Sequence, residues 1–464
     1  MASGAHASFH RPIITARRSP RLLLGVLVSG LLASGAIAAV SATSAQAATA
    51  GTVDTTFGTN GSVTTDVTSV LGPFVSFGGA TALPSGDIVV ADALGLVRLL
   101  PTGKPDASFG TAGFASAPGS TDNLIGTTGE LALQPDGKIV WAGSAAVTVE
   151  GSQSTVWEVA RFNANGTLDA SFGAGGVVTT ELFAPASIND EEIPTAIVVQ
   201  PDGKIVVGGV TSQSLSNRGA ALLHGNAVVR YNPNGTLDTS FGASGKVLTG
   251  NFGPGATVVS GNVTFTPGEL GLDSAGDIFI APGSAGRPGV FDGLTTFSQA
   301  EAELSPSGSP DTSVTAAPII AASNPALLAS GQFEQTASVS DVSRRDQDLV
   351  VSRFNPGATL ASASGPLDFP GEFPVGTLPG GQTLVVGGPA VSSGAGPQLL
   401  AVNVDGTVDT AFGNAGVATS TLPAGESVLA PVAVLQAGGK ILVVSNTTNS
   451  FQQDSQLTVT RFNG

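Results

Sequence analysis

The 464-residue chain has no cysteine, which excludes thiol nucleophiles, thiolate metal sites and a disulfide framework. Histidine is almost as scarce. His6 and His10 fall in the N-terminal stretch, leaving only His224, in a Gly/Ala-rich insertion over 219–225 that reads as a loop. Ser-His-Asp catalysis and multi-histidine metal centres therefore lack their parts. Trp141, Trp157 and Tyr231 are the only Trp and Tyr, so platforms for stacking sugars are few. No Walker A sequence, dinucleotide fingerprint or EF-hand loop is present. What is plentiful is glycine (63) and proline (29) between runs of Val, Ile and Leu, a turn-rich and strand-rich composition that is neither helical nor disordered.

Arg11, Arg17, Arg18 and Arg21 precede the apolar run Leu22-Leu23-Leu24-Gly25-Val26-Leu27-Val28 and the small-residue motif Ala45-Gln46-Ala47. This is the pattern of an export signal over 1–47, removed from a mature chain of 48–464. Arg17-Arg18 hints at twin-arginine export, although Ser19-Pro20-Arg21 matches that motif poorly and the ordinary secretory route is the simpler reading. Ser29, Gly30, Ser34 and Gly35 interrupt the apolar run, and no other stretch approaches the roughly 20 apolar residues of a membrane span. Loss of the four arginines takes the net charge from −16 to −20, which disfavours nucleic acid and anionic lipid.

Beyond the leader, one sequence is rewritten seven times. Its fullest copy runs Gln200-Pro201-Asp202-Gly203-Lys204-Ile205-Val206-Val207, then Arg230-Tyr231-Asn232, then Asn234-Gly235-Thr236-Leu237-Asp238-Thr239-Ser240-Phe241-Gly242. The Asp-x-x-Phe-Gly element recurs at Asp54, Asp106, Asp169, Asp238 and Asp409, with degraded versions at Asp311 and near Thr359-Leu360, a period of about 59 residues. Each unit reads as four strands, the first apolar enough to be innermost and buried on both faces. Such a unit cannot bury both faces of its sheet alone, so the copies must pack against one another. The mature chain starts inside the unit, at Gly51-Thr52-Val53-Asp54, and stops at Arg461-Phe462-Asn463-Gly464. Joining the ends regenerates the repeat, so the N-terminal strand is expected to complete the last unit and close a ring. The fold expected is all-β: a seven-bladed β-propeller of about 59-residue, four-stranded repeats.

The phrases Gln-Pro-Asp-Gly-Lys-Ile-Val, Arg-Phe/Tyr-Asn and Asn-Gly-Thr-Leu-Asp-x-Ser-Phe-Gly resemble the delta-60 repeat family of bacterial secreted and surface propellers. The resemblance covers almost all of the mature chain and implies fold and export. It brings no established reaction and no catalytic residues. A looser similarity to NHL-type propellers, which mostly bind partners, is one of fold.

The repeated aspartates read as turn caps. Ligands are then expected at the rim opposite the short Pro-Asp-Gly and Pro-Asn-Gly turns, where connections vary in length. Candidates there are Asp122, Asn189, Asp190, Glu191, Glu192, Arg344 and Arg345. Asp190, Glu191 and Glu192 stand as adjacent carboxylates that suit Ca²⁺ through oxygen donors; no other cofactor is indicated. The expected function is a secreted or wall-associated, monomeric scaffold that binds an extracellular glycan or protein, with no indicated reaction. Two alternatives stay open: a carbohydrate hydrolase or lyase working by carboxylates alone, and a purely structural surface protein.

Overall fold

The computed structural model describes residues 49–67, 77–120, 129–182, 191–214, 222–250, 371–387, 395–422, 426–436, 438–449 and 452–464, with shorter stretches at 269–272, 278–281, 302–304, 307, 322–327, 333–341, 346–354, 360–364, 367 and 369. All of them belong to the unit Ala48–Gly464. Every regular element among them is a β-strand, and every strand pairing is antiparallel.

The N-terminal strand β1 (Ser62–Asp66) is followed by seven sheets in chain order. The first holds β2 (Phe77–Ala82), β3 (Ile88–Asp92), β4 (Gly95–Leu99) and β5 (Phe114–Ser116), and the second β6 (Glu130–Leu133), β7 (Ile139–Val149), β8 (Ser152–Phe162) and β9 (Val177–Thr180). The third holds β10 (Glu191–Val199), β11 (Ile205–Ser214), β12 (Leu222–Tyr231) and β13 (Lys246–Gly250). In the fourth, β14 (Glu269–Leu272), β15 (Ile278–Ala281) and β16 (Ala302–Leu304) are described. The fifth holds β17 (Ala322–Leu327), β18 (Phe333–Asp341), β19 (Asp346–Phe354) and β20 (Leu360–Ala363), and the sixth β21 (Gly371–Thr377), β22 (Thr383–Gly387), β23 (Ala395–Val402) and β24 (Val417–Thr421). The seventh combines β25 (Glu426–Leu435), β26 (Lys440–Asn449) and β27 (Gln452–Asn463) with β1, which pairs along β27 from Ser62 opposite Thr460 to Asp66 opposite Gln456.

The turns form for the reasons their residues suggest. Between β10 and β11, Gly203 adopts φ 83° and donates its N–H to Gln200 O (2.8 Å), while Asp202 Oδ1 accepts from Lys204 N (3.1 Å). After β12, Gly235 N donates to Asn232 O and Asn232 N to Thr236 O, both at 2.8 Å. The chain ends build the same turn in two pieces: Gly51 N donates to Asn463 O (2.7 Å), Asn463 N to Thr52 O (2.8 Å), and Asn463 Nδ2 to Thr52 Oγ1 (2.8 Å).

The core lies between the sheets. Val140, Trp157 and Phe172 of the second sheet pack with Ile205, Val229 and Tyr231 of the third, and the first sheet packs on both the second and the seventh. First strands neighbour one another in the order β2, β6, β10, β14, β17, β21, β25 and again β2. They are less buried than the sequence suggests. β3 is buried throughout, whereas β6 is partly exposed along its whole length, because one flank of an inner strand has no further strand to cover it. Two other expectations are corrected. His224 lies within β12, paired with Ser212, and not in a loop. Near Thr359-Leu360, where a degraded Asp-x-x-Phe-Gly element is expected, Leu360 already opens β20 opposite Phe354, with five positions between β19 and β20 where four other sheets have 14, and 355–359 lie outside the described residues.

Candidate functional site

The most regular chemistry lies at the end of the sheets that carries the Gly-rich turns. In the first three sheets an arginine near the end of the third strand meets the aspartate eight positions later: Arg98, Arg161 and Arg230 each donate Nε to Oδ2 of Asp106, Asp169 and Asp238 at 2.8 Å. Arg461 does the same to Asp54 across the chain ends (2.9 Å). The other carboxylate oxygen caps the turn, accepting from the backbone N–H and hydroxyl two residues on, as Asp238 does from Ser240 at 3.1 and 2.6 Å. Each guanidinium then covers the phenylalanine of its own Asp-x-x-Phe-Gly element, 4.5 to 4.7 Å from the ring centroid. Lys138, Lys204 and Lys440, from the preceding hairpins, reach the same aspartates at 3.0, 3.2 and 2.9 Å. Burial would raise the carboxyls of Asp54, Asp169 and Asp238, but hydrogen bonds and the arginine charge outweigh it and hold them well below the usual range. These groups are fully engaged with one another, and their chemistry is structural. The turn-cap role was readable from the sequence. The arginine partner was not, although its constant spacing of eight was the signal.

Neighbouring sheets are stapled at this rim. Gly110 N donates to Asn165 O and Gly173 N to Asn234 O, at 2.8 and 2.9 Å. Gly235 sits so close to the second sheet that a Cβ there would meet Gly173 N at 2.9 Å and Phe172 Cε2 at 3.0 Å. Connections here are uniform: first and second strands are joined by five residues in six sheets and by four in the seventh. At the opposite rim, second and third strands are joined by 2 to 20 residues, and one sheet is joined to the next by 4 to 18.

Of the predicted ligand residues, Asp122, Asn189, Asp190, Arg344 and Arg345 lie outside the described residues. Glu191 and Glu192 open β10. Glu192 is 2% exposed, and both its carboxylate oxygens accept from Leu182 N (3.0 and 3.2 Å), across the seam to the second sheet. Its backbone is held too: Glu192 N donates to Thr155 Oγ1 (2.8 Å), and Ser144 Oγ donates to Glu192 O (2.9 Å). Its carboxylate thus fastens the sheet and does not project to solvent. Among the described residues no group of three His, Cys, Asp or Glu side chains is placed to hold a metal ion.

Sequence reasoning missed one carboxylate. Glu130 opens the inner strand β6, opposite Ala142, and a Cβ on Gly78 or Gly79 of β2 would lie 2.7 or 2.8 Å from its oxygens. The two glycines make room for that side chain, so its carboxyl is shielded although the residue as a whole is partly exposed, and this desolvation pushes the carboxyl up to about 8. Glu269 opens β14 at the same register, opposite Ala281. The shared phrase Glu-Leu-x-Leu ahead of both turns was the available signal.

Residues 134–172, 200–223 and 224–241 match a family model described as a domain of unknown function (DUF5122) beta-propeller. With the four-stranded antiparallel sheets, this match defines the class: an all-β protein of β-propeller type. No curated protein matches the chain. Similar solved structures include a protein of unknown function from Dyadobacter fermentans, at 13% identity and TM-score 0.42, covering 84% of this chain and 95% of that one. A streptogramin B lyase has 11% identity and TM-score 0.44 (86% and 98% covered), and the NanB sialidase of Streptococcus pneumoniae 10% and 0.43 (81% and 83%). Likeness at this level transfers no activity. No helix among the described residues is long and apolar enough to cross a membrane.

Proposed function

We propose that this chain is an exported seven-bladed propeller of the delta-60 repeat kind, its ring closed by β1, that binds an extracellular glycan or protein through its variable rim. The reading rests on the contrast between the two rims. One joins first and second strands by four or five residues throughout and carries the same Arg–Asp–Phe staple in four sheets, while the other varies from 2 to 20 residues between second and third strands. A rigid base with divergent connections suits recognition, which needs no catalytic residue. Ring closure is supported by the neighbour order of the first strands, which returns from β25 to β2, and by the shared core of the first and seventh sheets. Export rests on the leader pattern, and a monomeric, wall-associated or free protein is the simplest form consistent with it.

The test is thermal unfolding of the chain from Ala48 onward with a panel of glycans, cell-wall fragments and Ca²⁺, since a ligand of the folded state alone raises the transition by mass action. A glycan or wall-fragment shift supports the reading. A Ca²⁺ shift lost on replacing Asp190 and Glu191 by Ala supports an oxygen-donor site there. A flat panel rejects small extracellular ligands and favours a structural role.

A second reading, carboxylate chemistry, is favoured by Glu130 and the equivalent register of Glu269 on inner strands two sheets apart. A carboxyl raised to about 8 holds its proton near neutrality, as a general acid must. Hydrolysis of a glycan hit that disappears in Glu130→Gln would move the protein from binder to enzyme.

A further inference from the structure

The seam between the second and third sheets changes character along its length. Near the regular rim it is apolar, with Val140, Val159, Ile205, Val207 and Val229 in contact. Toward the variable rim it becomes polar while staying closed: Ser144, Thr155, Glu192 and Thr211 are 3%, 4%, 2% and 1% exposed. Two groups in this closed stretch make no hydrogen bond among the described residues, the indole N–H of Trp157 (0% exposed) and the hydroxyl of Thr211. Leaving a buried donor or acceptor unmatched is destabilising, because the group has given up its hydrogen bonds to water, so two in one seam call for a partner.

Register places them together. Thr211 pairs directly with Glu192, so both side chains project from the same face of the third sheet, and Glu192 reaches Leu182 of the second sheet from that face. Gly209, two residues before Thr211 on the same strand, shares that face, and a Cβ there would lie 2.9 Å from Trp157 Cζ2. The indole, the hydroxyl and the carboxylate thus border one stretch of the seam. Space is tight, since the same Cβ would lie 2.2 Å from Ile193 O.

We propose that this stretch is a binding site for a single small hydroxylic guest, a water molecule, that accepts from Trp157 Nε1 and shares a hydrogen bond with Thr211 Oγ1 beside the Glu192 carboxylate. An indole N–H needs an acceptor, a threonine hydroxyl takes either role, and a carboxylate accepts the guest's remaining proton. Water meets all three with a single oxygen, and internal waters generally satisfy about three such groups.

The test is the sign of the isosteric change Thr211→Val and its coupling to Trp157→Phe, which also removes a ring from the core and so is read only through the coupling, with melting temperature as the readout. With water in place, Thr211→Val and Trp157→Phe each lower the transition by a few degrees, and the double variant falls by clearly less than the sum, because the first change already releases the guest. Thr211→Ser, which keeps the hydroxyl, retains that coupling. A rise in Thr211→Val would overturn the proposal, since removing a dry unpaired hydroxyl stabilises. Strict additivity would overturn it as well, because the two groups would then share no guest. A crystal structure of the unmodified protein decides independently: density for an oxygen between Nε1 and Oγ1 supports the site, and an empty seam there ends it.

Discussion

Asp238 shows how much one side chain carries. It caps its turn with one oxygen and neutralises Arg230 with the other, and Arg230 is 5% exposed. Asp238→Ala therefore leaves a buried guanidinium without its counter-ion, and denaturant unfolding should show a loss of about 3–5 kcal/mol. Lys204→Ala touches the same carboxylate from a partly exposed position and should cost at most about 1 kcal/mol. Backbone strain is equally local. Ala112 holds φ 54° in the tight turn that follows Phe109-Gly110, where a left-handed alanine is costly. Ala112→Gly should be neutral to stabilising by about 0.5–1 kcal/mol in the same assay, against the usual direction of such changes. At this scale the sequence was legible wherever a contact is local: an aspartate bonding the N–H two residues on is visible in the spacing itself. Contacts across a strand and a turn, such as Arg230 with Asp238 and Phe241, need the fold before they can be seen.

Among elements, β1 is the one that joins its sheet from the other end of the chain, and it does so through β27. Thr64 and Thr458 stand opposite each other with hydroxyls 3.1 Å apart. In a chain without cysteine, Thr64→Cys with Thr458→Cys should give one bridge across almost the whole chain, seen as faster migration on non-reducing gels. Constraining so long a loop should stabilise by up to about 5 kcal/mol, read as a melting temperature that falls again on reduction. Element order and the five-residue turns were readable from the repeated Pro-Asp-Gly phrase. The partial exposure of the first strands was not, because an apolar run looks the same whether both of its faces are covered or one borders open space. Units that have lost their phenylalanine, such as the one around Leu360, were also beyond reach: nothing in the residues announces a connection shortened to five.

For the molecule as a whole, titration should bracket stability from both sides. Asp54, Asp169 and Asp238 have folded-state carboxyls depressed below their unfolded value of 3.8. Their contribution is complete above that value and disappears as pH falls through the depressed range, so unfolding should become easier below about pH 4. Glu130 acts in the opposite sense. With a folded value near 8 against 4.5, the native state binds the extra proton between those limits, and stability falls as pH rises across them. Melting temperatures of Glu130→Gln should exceed those of the parent by a few degrees at pH 8 and match them near pH 4.5. The class of fold was legible at this scale because seven imperfect copies average out their own defects. The ligand was not, since recognition falls on the connections that the copies do not share.

The turn assembled from Asn463, Gly51 and Thr52 has intact counterparts at Asn163 to Thr167, Asn232 to Thr236 and Asn403 to Thr407, with the same backbone hydrogen bonds. The turn therefore forms with the same hydrogen bonds whether its residues are continuous or come from two segments. A circular permutant that links Gly464 to Ala50 and opens between Asn403 and Thr407 keeps every sheet and relocates only the gap. Such a chain should fold with a melting temperature close to the parent's, and its new ends beside Asn403 and Thr407 would accept a fusion partner on the rim that the proposed ligand does not use.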